Sequence, residues 1–246
     1  MTRTAGALVI GNEILTGKIE ERNVAYLGRM LFELGISLRR VVVCVDEVEV
    51  IAAELDALRK EHDWVFTSGG VGPTHDDVTL DGVARSFGRK LVRSPELVGL
   101  IEGWHRKQGR EVNEAHLRMA DVVEGARQLR TRDMRWPVQI VENVVVLPGV
   151  PEVFRMKLDA VRDELDEGEG FVGRAVYTGC DEGDIAELLQ RITERFAGVT
   201  VGSYPNWGGK GFRTKVTFDG REAASVAGAE AMLLEALDAD LVVRRE

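Results

Sequence analysis

The chain has 246 residues, of which 44% are hydrophobic and 30% are charged, which is typical of a protein with a well-formed hydrophobic core. Its formal net charge of −9 argues against a general binder of nucleic acid or of an anionic membrane, while a local anion site remains compatible with it. Two cysteines without metal-ligand spacing, no apolar run of membrane-spanning length and no secretion signal predict a reduced, cytoplasmic setting.

Apolar strands and amphipathic helices alternate in the first part of the chain, which indicates an α/β sheet. They are predicted over residues 6–10, 21–34, 38–45, 48–58 and 64–66. Gly11-Asn12-Glu13 follows the first strand, and Asp46 follows the second. Ligands collect at the carboxyl ends of strands in open α/β sheets, so we expect these residues on one rim. Asp46 is alternatively the N-cap of the helix that follows it.

The loop after the third strand has the composition of a phosphate-binding turn. It reads Thr67-Ser68-Gly69-Gly70-Val71-Gly72-Pro73-Thr74-His75-Asp76-Asp77-Val78-Thr79. Its glycines let backbone N–H groups approach a bulky anion, and the helix that follows adds unpaired N–H donors. Asp76 and Asp77 would repel phosphate unless a hard divalent cation lay between them, as Mg²⁺ does when carboxylate and phosphate oxygens hold it. Alternatively, the two acids only favour the positive end of the helix dipole.

A second turn is predicted on the same rim. Helices are expected after Ser94-Pro95 and from Asn113, and a strand over residues 144–147 ends in Pro148-Gly149-Val150-Pro151. Because this turn follows a strand of the same sheet, we expect it on the carboxyl rim, where its backbone can shape one wall of a pocket.

The pattern of elements changes after an acidic, glycine-rich stretch at residues 166–170. We therefore predict two domains, at residues 1–167 and 168–246. In the second, strands and helices follow the order β-α-β-β-α-β, which is that of a split ferredoxin-like domain. This domain shows no catalytic constellation, and packing and subunit contacts are its expected roles.

The loop TSGGVGPTHDDVT resembles the signature loop of the molybdopterin-binding (MoaB/Mog-like) domain. It is most similar to the version in the competence/damage-inducible protein A family and in the domain fused to FAD synthetases. Further matches occur in the expected order at Gly11–Gly17, Asn23, Asp46-Glu47 and Leu147–Pro151, so that the resemblance covers roughly residues 5–165. It implies a three-layer α/β/α fold with a mostly parallel sheet, followed by the small α+β ferredoxin-like domain.

The resemblance also implies a set of site residues. Asp46 and Asp77 would be catalytic, and Glu13, Asp76 and Asp77 would bind the metal. The ligand-binding residues would be Gly11, Asn12, Glu13, Asn23, Thr67, Ser68, Gly69, Gly70, Gly72, Pro73, Thr74, Pro148 and Gly149. Asn12 stands where the family usually has an aspartate, so it adds no charge, and an Asx turn is its alternative role. For Asn23 the alternative is a helix cap.

Three functions fit this set of residues. The first is a metal-dependent pyrophosphatase of ADP-ribose or FAD-type dinucleotides, using Mg²⁺, or alternatively Mn²⁺ or Co²⁺. The second is binding or adenylylation of molybdopterin in the same cleft. The third is a non-catalytic nucleotide-binding module, which Asn12 favours. The expected partners are a nucleotide or a pterin phosphate and further copies of the chain in a dimer or trimer, with neither nucleic acid nor membrane.

Overall fold

The computed structural model describes residues 2–130, 136–165, 170–208 and 211–246. The chain forms two compact units, one made of Met1–Phe32 and Ile36–Asp166 and the other of Glu33–Gly35 and Glu167–Glu246. Residues 166–169 of the predicted linker, and with them the predicted boundary at 167/168, lie outside the described residues, so this boundary stays a prediction.

The first unit alternates strands and helices as the apolar pattern predicts. Its elements are β1 (Thr4–Ile10), α1 (Asn12–Leu15), α2 (Asn23–Glu33), β2 (Ser37–Cys44), α3 (Val48–Glu61), β3 (Trp64–Ser68), α4 (Thr79–Ser86), β4 (Leu91–Arg93), α5 (Pro95–Lys107), α6 (Glu114–Arg118), β5 (Asp121–Val123), β6 (Arg127–Leu129), β7 (Val138–Val141), β8 (Val144–Val146) and α7 (Pro151–Leu165).

Six of these strands form one mixed sheet in the order β2-β1-β3-β8-β7-β6. The pairs β1–β2, β1–β3 and β3–β8 are parallel, whereas β8–β7 and β7–β6 are antiparallel. The predicted mostly parallel sheet is confirmed. Its antiparallel edge was not predicted, and it forms because β7 and β8 are joined by a short turn at Glu142 and Asn143, where Glu142 has a positive φ of 52°.

The core of this unit lies on both faces of β1. Leu8 and Ile10 pack in one cluster with Ile51 and Leu55 of α3. Side chains alternate along a strand, so Ala7 and Val9 point to the opposite face, where they are also buried. Each fully buried leucine or isoleucine contributes about 1.5–3 kcal/mol to folding. A central strand that is covered on both faces is what a three-layer α/β/α fold requires.

Side-chain caps fix where several helices begin. Ser94 accepts a hydrogen bond from the backbone N–H of Leu97, with Pro95 in the first turn, as the sequence predicts. Asn113 and His116 form a capping box at α6. At α2, the Glu21 carboxylate accepts from the N–H groups of Asn23 and Val24, so the side chain of Asn23 is not needed as a cap.

The second unit is an antiparallel sheet with two helices. Its elements are β9 (Val172–Thr178), α8 (Glu182–Arg195), β10 (Val199–Pro205), β11 (Thr214–Gly220), α9 (Ala223–Ala236) and β12 (Val242–Arg245). The strand order β10-β11-β9-β12, with every neighbouring pair antiparallel, confirms the predicted split ferredoxin-like topology. Val176 and Phe218 of the sheet pack against Ile192 and Leu233 of the helices.

Candidate ligand-binding site

The glycine-rich loop passes very close to the end of β1. Gly69 and Gly70 have positive φ values of 108° and 60°, which L-residues with side chains rarely adopt. A Cβ atom on Gly69 would lie 2.0 Å from the carbonyl oxygen of Ile10, and one on Gly70 would lie 2.3 Å from Thr79 Oγ1. Glycine is therefore required at both positions, and the loop lies at the carboxyl end of the sheet, as expected.

Thr79, the first residue of α4, fastens the loop from the other side. Its buried hydroxyl donates to the Gly69 carbonyl at 2.8 Å, and its N–H donates to the Gly70 carbonyl at 3.1 Å. This N–H is therefore used within the protein and is not a phosphate donor. The next two N–H groups of the helix, on Leu80 and Asp81, have no partner inside a regular helix, and both residues line the larger cleft described below.

Asp77 folds back inside its own loop. Its Oδ2 accepts hydrogen bonds from both the N–H and the hydroxyl of Thr74. A Cβ atom on Gly72 would lie 2.5 Å from the same oxygen, so glycine makes room for the carboxylate. Arg118 of α6 donates to the carbonyls of Thr74 and Asp77 at 3.3 and 3.5 Å. The neighbouring Asp76 is exposed, and its proximity to the Thr74 side chain lowers the pKa of its carboxyl group.

The larger cleft, of about 870 Å³ including its open mouth, lies beside this loop. Gly70, Gly72, Asp77, Arg118 and Pro148 are among its lining residues. The others are mainly apolar, together with two aspartates and three long polar side chains: Val71, Leu80, Asp81, Leu91, Leu97, Met119, Asp121, Gln128, Trp136, Pro137, Gln139, Val153 and Lys157. An apolar wall with a few polar groups is the usual composition of a small-molecule site.

Lys157 is the second cation of this cleft. Its Nζ donates to the Pro137 carbonyl at 2.8 Å, and burial lowers the pKa of its ammonium to about 8. An ammonium group that is largely removed from water gains from an anionic or polar partner. The larger cleft therefore combines backbone donors, two cations and an apolar wall.

The smaller cleft, of about 400 Å³, lies on the other side of the loop. It is lined by Glu13, Asn23, Ser68, Gly69 and Gly149, among others. Asn23 is only 4% exposed, and its Nδ2 donates to Ser68 Oγ at 2.9 Å and to the Gly149 carbonyl at 2.8 Å. Its Oδ1 is buried and has no hydrogen-bond partner among the residues that the structure describes. The alternative role of Asn23 as a helix cap is wrong, because its side chain instead connects three distant segments at the cleft.

Asp46 positions the first loop of the rim. Its Oδ2 accepts from the backbone N–H of Asn12 at 2.8 Å. No side chain caps the start of α3, so the alternative role of Asp46 as the N-cap of that helix is wrong. The Glu13 carboxylate lies against Gly11, where a Cβ atom would be 2.6 Å from Glu13 Oε1. Asp46 thus acts on the backbone that presents Glu13 to the smaller cleft.

The predicted site residues fall into three groups, according to whether they line the larger cleft, the smaller cleft or neither. Gly70, Gly72, Asp77 and Pro148 line the larger cleft, whereas Glu13, Asn23, Ser68, Gly69 and Gly149 line the smaller one. The remaining predicted residues line neither of these two clefts: Gly11, Asn12, Asp46, Thr67, Pro73, Thr74 and Asp76. Thr67 is fully buried, and its hydroxyl accepts from the N–H of Leu147, which ties β3 to the second turn.

The predicted metal ligands do not form a preassembled centre. Among the described residues, no group of three or more histidines, cysteines, aspartates or glutamates is placed to hold a metal ion. Glu13 and Asp77 border different clefts. The donor set fits only a cation that one or two carboxylates hold together with phosphate oxygens of the ligand, which is how Mg²⁺ commonly binds.

Sequence reasoning did not find Arg118, Gln128, Trp136 or Lys157. They come from α6, β6, the segment before β7 and α7, and no short motif joins them. The cation that contacts the glycine-rich loop is Arg118.

A mostly parallel α/β sheet with a strained glycine-rich loop between two clefts at its carboxyl rim defines a small-molecule-binding domain. The chain belongs to the family of probable molybdopterin binding domains, whose model matches residues 6–167. Residues 170–246 match the middle domain of FAD synthase. The resemblance predicted from the loop is thus confirmed.

Similar proteins share one or both domains. Probable FAD synthases of Caenorhabditis briggsae and Caenorhabditis elegans are 31% and 30% identical over 98% of this chain, which spans 50% and 51% of their lengths. A protein of Archaeoglobus fulgidus is 34% identical, covering 93% of this chain and 96% of its own. The crystal structure of CinA from Thermoplasma acidophilum, described as of unknown function, covers 67% of this chain and 98% of its own, with 28% identity and a TM-score of 0.60.

None of the helices in the described part of the chain has both the length and the apolar character needed to cross a membrane.

Proposed function

We propose that this protein is a metal-dependent pyrophosphatase of ADP-ribose or FAD-type dinucleotides. One observation carries the proposal: Gly70, Gly72 and Asp77 share a cleft with Arg118 and with a long apolar wall. Such a cleft suits a ligand that has a pyrophosphate at one end and a planar ring at the other. The match to the FAD synthase middle domain supports a nucleotide-type ligand but does not specify the reaction.

The reaction proposed is hydrolysis of the pyrophosphate. The oxygen of a water molecule forms a bond to one phosphorus, the bond from that phosphorus to the bridging oxygen breaks, and AMP and the second phosphate ester leave. Asp77 orients the water and accepts its proton, while Arg118 and the N–H groups of Leu80 and Asp81 hold the phosphate oxygens. Mg²⁺ bound by Asp77 and the substrate would neutralise phosphate charge and lower the pKa of the attacking water.

A binding role without hydrolysis is the second candidate. Asn12 stands in place of the acid that is usual in the resembling family, and here it acts through its backbone N–H, which is held by Asp46. The same clefts would then hold the phosphate and ring of a pterin such as molybdopterin.

A substrate panel tests the proposal. Purified protein is incubated with ADP-ribose, FAD or NAD and with Mg²⁺, Mn²⁺ or Co²⁺, and AMP release is measured. We expect release from at least one dinucleotide and a loss of about 100-fold or more in Asp77→Asn. Asp184→Asn, an exposed position in the second unit, is the matched control and should retain full activity.

Two results would contradict hydrolysis at this loop. One is AMP release that survives in Asp77→Asn, and the other is no release from any dinucleotide with any of the three metals. Tight pterin binding without hydrolysis would support the second candidate instead. A catalytic role of Asp46 and the formation of a homo-oligomer both stay predictions. Asp46→Asn in the same assay and light scattering of the intact chain test them.

A further inference from the structure

The lining of the larger cleft contains two glutamines that face each other across neighbouring strands. Gln128 of β6 pairs with Gln139 of β7 in the antiparallel register. Both atoms of the Gln139 amide are bonded to the backbone around β5, since its Nε2 donates to the Asp121 carbonyl at 3.1 Å and its Oε1 accepts from the N–H of Val123 at 3.2 Å. Gln139 is therefore a structural clamp, and no hydrogen bond joins it to Gln128 in the described chain.

The Gln128 amide is left without a hydrogen bond. Both its Nε2 and its Oε1 are buried, and neither has a partner in the part of the chain that the structure describes. Buried polar atoms in folded proteins are nearly always paired, because an unpaired donor or acceptor loses its bonds to water without compensation. An amide with both atoms unpaired at a cleft wall is what a polar ligand edge would satisfy.

Lys157 approaches the same wall from α7. Its Nζ donates to the carbonyl of Pro137, two residues before Gln139 in the chain. An ammonium group has three donors, and this bond uses one of them. Trp136, which precedes Pro137 and also lines the cleft, adds an aromatic side chain that can contact a planar ring. The unpaired amide, the lysine and the indole thus all line the larger cleft.

We propose that Gln128 and Lys157 determine ring specificity in the larger cleft, by binding the lactam edge of a flavin-type or pterin-type ring. This inference rests on the proposed use of the cleft as the dinucleotide or pterin site. In a lactam, a ring N–H lies next to a carbonyl, so the Gln128 amide can accept from one and donate to the other. Lys157 donates to a further carbonyl or ring nitrogen, which these rings carry close by.

Adenine fits this wall less well. Its amino group and a neighbouring ring nitrogen can also pair with a glutamine amide. However, adenine has no carbonyl oxygen, and each ring nitrogen that flanks its amino group has a C–H group on its other side. Lys157 therefore finds no further acceptor next to the edge that pairs with Gln128. The cleft should therefore prefer the flavin half of FAD over its adenine half.

The experiment uses ring probes that lack phosphate, so that binding is separated from hydrolysis. Affinities of riboflavin and adenosine for the full chain are measured by calorimetry or by quenching of flavin fluorescence. We expect riboflavin to bind at least tenfold more tightly than adenosine. Gln128→Leu and Lys157→Met should each weaken riboflavin about tenfold, as expected for loss of one buried hydrogen bond, and Lys157→Met should leave adenosine unchanged.

Two controls keep the result interpretable. Gln108→Leu and Lys107→Met change exposed side chains of the same types and should bind riboflavin as the wild type does. N3-methylriboflavin removes the lactam N–H from the ligand instead of the protein, and it should bind the wild-type chain about tenfold more weakly even where a variant fails to fold.

Equal affinity for riboflavin and adenosine, or for riboflavin and its N3-methyl derivative, would overturn the assignment. If FAD and ADP-ribose are hydrolysed while no ring preference exists, the inference fails and the pyrophosphatase survives. If riboflavin binds with the expected dependence on Gln128 but no dinucleotide is hydrolysed, the inference stands and the proposed reaction fails.

Discussion

Replacing Asn23 by alanine tests whether this buried side chain serves the ligand or only the fold. The change removes two hydrogen bonds, to Ser68 Oγ and to the Gly149 carbonyl. Each contributes about 0.5–1.5 kcal/mol net to stability. It also removes the unpaired Oδ1, whose burial costs about 1–3 kcal/mol, so part of the loss is offset. We expect Asn23→Ala to reduce the free energy of unfolding by only about 1 kcal/mol.

Asn143→Ala is the matched control. The Nδ2 of Asn143 also makes two hydrogen bonds, to the carbonyls of Arg59 and His62. Its Oδ1 is not among the buried unpaired atoms of the described chain, so nothing offsets the loss. We expect Asn143→Ala to cost about 2–3 kcal/mol, twice the Asn23 value or more.

Urea unfolding followed by circular dichroism measures the two losses, and calorimetry measures affinity for ADP-ribose and FAD. Asn23→Ala should weaken binding at least tenfold because the smaller cleft loses its buried acceptor, whereas Asn143→Ala should leave affinity unchanged. The reasoning would be refuted by a variant at Asn23 that loses as much stability as Asn143→Ala while binding every ligand as tightly as the wild type.

Two further predictions concern charged side chains. Burial lowers the pKa of Lys157 from 10.5 to about 8. Between these two pH values the native state therefore binds fewer protons than the unfolded state. The free energy of unfolding should accordingly rise between pH 8 and 10.5, by at most about 3 kcal/mol. Urea midpoints across this range should show the rise in the wild type and not in Lys157→Met; an equal rise in both would exclude Lys157 as its source. In the second unit, the buried carboxylate of Glu230 forms ion pairs with Arg174 and Arg245. Burial raises the pKa of this carboxyl group, but the two arginines lower it by more, so that the pKa is lowered on balance. Its contribution is therefore present above pH 4.5 and is lost as pH falls through the lowered pKa. Glu230→Gln should destabilise the chain at neutral pH by roughly 1–3 kcal/mol, and the difference from the wild type should shrink as pH falls below 4.5.

The glycine-rich loop could be predicted from sequence because its constraints are local. Gly69 and Gly70 need positive φ and have no room for a Cβ atom, and residues that meet such needs stand next to each other in the chain. The strand ends that surround the loop follow from apolar runs of ordinary length. The split ferredoxin-like order of the second unit was correctly predicted because its strands and helices also follow from apolar patterns of ordinary length.

The part of the larger cleft that Gln128 and Lys157 line could not be predicted. Residues far apart in sequence meet there only because of the pairing of β6 with β7 and the packing of α7. β6 and β7 are short strands with glutamines at Gln128 and Gln139, and their pattern is too brief to identify a sheet edge. Lys157 lies on a helix whose sequence looks like any amphipathic helix. The sequence left two interpretations of Asn23 open, because its position at the start of a helix suggests a cap. In the structure, the nearby acid Glu21 takes that capping role.

The division of the predicted residues between two clefts is itself compatible with one ligand. Gly69 lines the smaller cleft and Gly70 the larger one, and consecutive Cα atoms are only about 3.8 Å apart. The two clefts therefore adjoin at the Gly69–Gly70 peptide, and Thr79 binds the carbonyls of both residues. A phosphate bound over this peptide would have Asp77 on one side and the Asn23–Ser68 pair on the other. Acids that do not touch each other in the protein could then act on one pyrophosphate. The separation of Glu13 from Asp77 is therefore compatible with a common substrate.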